Sequence, residues 1–289
     1  MNKKIYLLSI LFISLLMSCN KEEAVDANQV AFDAADGIRG AQIYDHPLNY
    51  TNASQTDYPN ANTNFWRCKS CHGWDLRGQS GVLIGKASSA TYPVAAVGNL
   101  YTTARSKSIK ELFDAVKKSG GRTHGTYDAT HPDYSTILTD AQIWDVVKFI
   151  KVTSHNVDDF YTTTTTGTYP TGKVAFTNIG KTGDAAAGLA TYNTNCKVCH
   201  GADGKKIDIY CQGLFLGEMF RKDPHEMQHK AIWGMPNDRE HIDAGCTFAA
   251  PMPAMPITDQ DIRNLMIMGQ DVTMFPDGAL KSARISDDE

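Results

Sequence analysis

Cys68-Lys-Ser-Cys71-His72-Gly73 and Cys196-Lys-Val-Cys199-His200-Gly201 place one pattern at two points of a single chain. With 7 Cys and 9 His among 289 residues, random placement yields about 0.005 copies of Cys-x-x-Cys-His per chain, so two copies are not noise. A close pair of thiols serves redox exchange, zinc binding or covalent attachment of a prosthetic group. Redox dithiols sit in a βαβ context, and zinc sites draw two such pairs around one metal. Neither fits, because each copy here has helical surroundings of its own.

The remaining chemistry is haem attachment. Two thioethers to the vinyl groups anchor the porphyrin, and the imidazole of the next residue reaches the iron as proximal ligand. The chain is therefore expected to carry two covalently bound haem c groups, one on Cys68, Cys71 and His72 and one on Cys196, Cys199 and His200.

The flanks of the motifs repeat as well. Ahead of the second, "GDAAAGLATYNTNCKVCH" reads as a helix of small residues bearing Gly188 and Tyr192. The same Gly and Tyr recur in "DGIRGAQIYD", Asp36 to Asp45, which a polar stretch from Asn49 to Asn64 separates from Cys68. Downstream, Ser108-x-x-Glu111 is a capping box that opens a helix with Ile109, Leu112, Phe113 and Val116 on one face, ending at Gly120-Gly121. Thr139-x-x-Gln142 opens another, with Ile143, Val146, Val147 and Ile150. In the second half Asp223-Pro224 starts a helix running towards Trp233-Gly234, and Thr258 caps a last one bearing Ile262, Leu265 and Met266. The Thr/Gly-rich run 161 to 184 between the halves has little apolar periodicity and reads as a linker.

At the N-terminus Lys3 and Lys4 precede an apolar run from Ile5 to Met17, too short for a permanent membrane span. The run ends in Leu16-Met17-Ser18-Cys19, which resembles a bacterial lipobox, with Cys19 as the lipidated first residue. The alternative is an ordinary secretory signal with an incidental Cys19. The polar residues that follow read as a tether, and Lys21-Glu22-Glu23 resembles a surface-export tag of some Gram-negative lipoproteins. Removal of Lys3 and Lys4 takes the formal charge from -4 to -6, and with no basic block nucleic acid is excluded as a partner. Of the 7 cysteines, Cys211 and Cys246 are left, and outside the cytoplasm they form a candidate disulfide.

Each half resembles a class I cytochrome c domain, and the whole resembles a membrane-anchored two-haem cytochrome c. The fold expected from this is all-α, two tandem domains joined by the Thr/Gly-rich linker. The boundaries are signal peptide 1–18, tether 19–32, haem 1 domain 33–152, linker 153–182, haem 2 domain 183–280 and tail 281–289. The resemblance implies a distal iron ligand, commonly Met, from the loop before the last helix. In the second half Met252-Pro253 stands ahead of Ile257-Thr258-Asp259 and makes Met252 the candidate, with Met255 and Met235 as alternatives. The first half has no Met between Met17 and Met219. There His131-Pro132 stands in the corresponding place, so His131 is the candidate, with His124 or an open site as alternatives. Methionine ligation raises the potential relative to histidine, so electrons are expected to pass from haem 1 to haem 2.

The function expected is electron transfer between redox partner proteins or within a respiratory complex, at a membrane facing the periplasm or at the cell surface. The alternative is a dihaem oxidoreductase acting on a sulfur compound or peroxide. One motif competes: His225-Glu226-x-x-His229 fits the helical zinc pattern with Glu226 as general base, but no obvious third ligand follows at metzincin spacing, although His241 is nearby. It also occupies the slot of the 108 to 118 helix in the repeat, which favours a structural helix. Trp66, Trp74, Tyr92 and Tyr101 are expected to pack or to touch the haem edge, and Arg77 to pair with a haem propionate.

Overall fold

Asp36 and Asp184 begin the two helices around which the molecule is organised. The structure is a computed structural model that describes residues 26–50, 63–88, 97–118, 131–209, 213–235 and 251–279. Asp26 caps α1 (Ala27–Ala34) and Asp36 caps α2 (Gly37–Asp45) by accepting from first-turn amides. Two single turns, α3 (Thr63–Trp66) and α4 (Lys69–His72), carry the first motif. After α5 (Leu100–Ser106), the Ser108–Glu111 capping box opens α6 (Ile109–Lys117). The Thr139–Gln142 box opens α7 (Asp140–Lys148), which runs on through a π-turn to Thr153. An antiparallel hairpin follows, β1 (Thr162–Thr166) with β2 (Lys173–Thr177), in the register Thr162↔Thr177 to Thr166↔Lys173. The second half comprises α8 (Ala185–Asn195), α9 (Lys197–His200), α10 (Leu216–Lys222), α11 (Pro224–Trp233) and α12 (Asp259–Met268).

One helix crossing occurs twice. A Cβ on Gly40 of α2 would stand 1.9 Å from the Asp145 carbonyl oxygen of α7, and one on Gly188 of α8 would stand 2.1 Å from that of Asn264 in α12. Only glycine allows backbones to approach so closely. The same partners tie the helix starts: the Asp36 amide donates to Asp145 Oδ1 at 2.7 Å, and the Asp184 amide donates to Asn264 Oδ1 at 2.8 Å. Buried Asp145 also takes Arg39 Nε at 2.5 Å.

Two apolar clusters result. One gathers Ile43, Tyr44, Trp66, Phe113, Trp144, Val147 and Phe149; the other gathers Tyr192, Leu214, Phe220, Ile262, Leu265 and Phe275. Trp233, 2% exposed at the end of α11, crosses over and packs in the first cluster, and Ile232 touches both. The two halves therefore share α11.

Three expectations change. The hairpin is an exception to an all-α fold, because β-branched threonine suits extended backbone. The 153–182 segment is no open linker, since Val157, Phe160 and Tyr161 are buried in the second cluster. The 19–32 tether is too long, since α1 begins at Ala27 and Phe32 is buried against Trp144. No helix among the described residues is long and apolar enough to cross a membrane.

Candidate functional site

A cavity of about 290 Å³ lies in the first half, and Cys68, Cys71, His72 and His131 all line it. Its other walls include Leu100, Leu112, Val116, Val146 and Ile150 from α5, α6, α7 and the π-turn, with Arg67 and Lys107 as its cations. The motif reaches this position through the turn of α4, which Gly73 ends with φ 73°, a conformation open to glycine. The buried Tyr44 hydroxyl donates to the Gly73 carbonyl at 2.6 Å and fixes the turn against α2.

The donor chemistry of this cavity is set by burial. Burial first, and the neighbouring His131 second, bring the His72 imidazole down to about 3, so the ring is a neutral lone-pair donor. Its Nδ1 is buried without a hydrogen-bond partner among the described residues. His131 Nδ1 lies 2.9 Å from the Pro132 carbonyl. A carbonyl only accepts, so the proton sits on Nδ1 and the lone pair of the neutral ring is on Nε2. Burial pushes the Cys68 thiol up to about 11 and Cys71 up to about 12, which keeps both sulfurs protonated. Cys68 Sγ also lies 3.4 Å from the Tyr134 hydroxyl, which donates to the Trp66 carbonyl at 2.7 Å. Two neutral thiols and two facing imidazoles on an apolar cavity fit a covalently attached haem.

The second motif repeats the local frame. The Tyr192 hydroxyl donates to the Gly201 carbonyl at 2.7 Å, and Gly201 has φ 83°. Burial lowers the His200 imidazole and raises Cys196 to about 11. Met252 packs against the same cluster as Cys196, and its carbonyl accepts from the Met235 amide at 2.8 Å, so the first-choice methionine and one of its alternatives lie side by side. Cys199 and Val198 face solvent, Val198 at 74%.

Residues 39–154 match the family model for cytochrome c. This region is similar to cytochrome c domains. The match points to covalently bound haem c and electron transfer through it in this region. The matched region contains Cys68, Cys71, His72 and His131 and ends beside the π-turn at Thr153. No curated protein and no solved structure gives a significant match to the chain.

Other sequence expectations meet different outcomes. Among the described residues no three His, Cys, Asp or Glu side chains are disposed to hold a metal ion. In the His-Glu-x-x-His stretch, His225 stacks on Phe176, Glu226 pairs with Lys230, and His229 packs among Tyr44, Trp74 and Trp233. Arg77, expected at a haem propionate, pairs with Asp158 at 2.7 Å and with Asn156 at 3.1 Å. Trp66 and Trp74 are packing residues of the domain interior. Cys19, His124, Cys211, His241 and Cys246 lie outside the described residues. Sequence reasoning missed Tyr44, Tyr134 and Tyr192 as supports of the motifs. The shared Gly-x-x-x-Tyr spacing ahead of both was the available signal for two of them.

Proposed function

We propose that the chain is an exported, lipid-anchored dihaem cytochrome c that relays single electrons. The observation that carries the reading is the meeting of His72 and His131 on one apolar cavity with both cysteines of the motif. In this reading Cys68 and Cys71 hold the first haem between His72 and His131, while Cys196 and Cys199 hold the second between His200 and Met252. The haem supplies an iron that cycles between ferrous and ferric states. The protein would offer His72 and His131 as donors to the first haem, holds the His72 ring neutral by burial, and lines the cavity with apolar side chains. The shared helix crossing, the Tyr to Gly hydrogen bond and the left-handed Gly after each motif support a second, equivalent site outside the matched region. The anchor rests on Lys3, Lys4, the apolar run and Cys19, and places the protein at the periplasmic face of a membrane or at the cell surface beside redox partners.

Methionine at one iron and histidine at the other set the order of potentials, so electrons fall from the first site to the second. Intact mass of the mature product from a host that matures c-type cytochromes is expected to show two added haems and a lipid. Ferric-state spectroscopy is expected to show one bis-His and one His/Met iron, the bis-His site titrating at lower potential. One haem, or the reverse order in domain-resolved mutants, overturns the reading.

A further inference from the structure

The helix α11 belongs by sequence to the second half and packs Met227 and Ala231 there, yet His229 and Trp233 are turned into the first. His229, 0% exposed, has its Nε2 3.3 Å from the Ala41 carbonyl of α2, and the Trp233 carbonyl accepts from Gln42 Nε2 at 2.8 Å. Trp74, two residues beyond His72, sets its ring centroid 4.6 Å from that of His229. His229 in turn lies 5.0 Å from Trp233. Past Trp233 the chain turns at Gly234, with φ 78° and a Cβ position only 2.5 Å from the Met252 carbonyl oxygen. The next amide, that of Met235, donates to the same carbonyl. A continuous set of packed rings and one hydrogen bond thus joins the residue after His72-Gly73 to Met252. Phe149 packs at 5.6 Å from His229 and 5.1 Å from Trp233 and closes the side of this set.

From this geometry we infer that Trp74, His229 and Trp233 are the electronic contact between the two Cys-x-x-Cys-His sites. The inference rests on the dihaem reading and specifies its internal route. Electron tunnelling weakens steeply across gaps and far less across atoms in contact; these rings are in contact from Trp74 to Trp233, and covalent backbone and one hydrogen bond complete the route to His72 and to Met252. One electron is given up at the first site and one is taken up at the second. No bond forms or breaks, no proton moves, and the three rings begin and end in the same closed-shell state. The burial that brings His229 down to about 4 keeps its ring uncharged at neutral pH.

The test uses the full holoprotein, its two haems verified by intact mass. After flash photoreduction of the oxidised protein, equilibration between the sites is followed optically, and pulsed EPR gives the distance between the ferric centres. Trp74→Leu and Trp233→Leu are expected to slow equilibration at least severalfold at unchanged distance and unchanged potentials. Trp233→Phe, which keeps an aromatic ring, is expected to retain most of the rate. An unchanged rate in the leucine variants overturns the inference. So does a slower rate with a lengthened distance, which would make the rings spacers. A single haem by mass removes the dihaem reading itself, an outcome distinct from either.

Discussion

The two motifs share a frame and differ in cover. At the first, Lys69 and Ser70 between the cysteines are fully buried; at the second, Lys197, Val198 and Cys199 are exposed. Both follow a helix that crosses a later one at a glycine, and both receive a tyrosine hydroxyl on the glycine carbonyl after the histidine. The frame is thus a property of local sequence, whereas the cover comes from distant neighbours. Lys69 Nζ lies 5.1 Å from the Trp74 ring centroid and Lys230 Nζ of α11 lies 5.4 Å from it, so part of the cover comes from the other half.

The most severe break of this asymmetry is Trp233→Ala. Removing a buried Trp costs about 3–5 kcal/mol, and because Trp233 sits in the first apolar cluster the loss is expected in the half that does not contain it by sequence. Denaturant unfolding, read separately in the two halves by hydrogen exchange, checks this. Destabilisation confined to the second site would show that α11 covers nothing of consequence.

His229 sharpens the same contact through pH. Burial holds its imidazole at about 4, below the ordinary 6.5, with Lys230 and Lys69 lowering it further and Asp45 and the Ala41 carbonyl opposing. Between those values the unfolded chain binds a proton that the folded chain does not. Stability is therefore complete above about pH 6.5 and falls as pH drops towards 4, by about 3 kcal/mol in total. His229→Phe is expected to remove that part of the pH dependence in denaturant titrations. An identical slope in the variant would place the titrating group elsewhere.

Much of this frame was legible beforehand. The capping boxes at Ser108, Thr139 and Thr258 mark real helix starts, and the Gly and Tyr spacing identifies the crossing helices. His131-Pro132 stands where the resemblance puts the distal-ligand dipeptide, and His131 lines the same cavity as His72. The role of α11 was not legible. Its His225, Glu226, Gln228, His229 and Lys230 are all buried, Glu226 and Lys230 by pairing one turn apart. A periodicity argument reads such residues as a solvated face. Nor does the threonine run announce a hairpin, because its side chains are polar on both faces and its outer end is exposed.

Glycine tests whether the frames are equivalent. Gly40→Ala and Gly188→Ala each force a methyl into a backbone carbonyl, at 1.9 and 2.1 Å, and overpacking of this kind costs about 1–3 kcal/mol. The two losses are expected to match in thermal unfolding. A tolerated Gly188→Ala would mean that the second crossing is looser than the first.

The smallest effect isolates the cover itself. Tyr44→Phe and Tyr192→Phe delete the same hydroxyl from the same kind of bond, at 2.6 and 2.7 Å. Gly73 is buried and Gly201 only half-buried. A buried carbonyl that loses its donor keeps its desolvation penalty, about 1–3 kcal/mol. At Gly201 water can replace the hydroxyl, so the loss there is expected to stay at or below about 1 kcal/mol. The comparison holds the bond constant and varies only what surrounds it. Equal losses in chemical denaturation would mean that the burial of the first motif is not felt at its turn, and that the asymmetry ends at the protein surface.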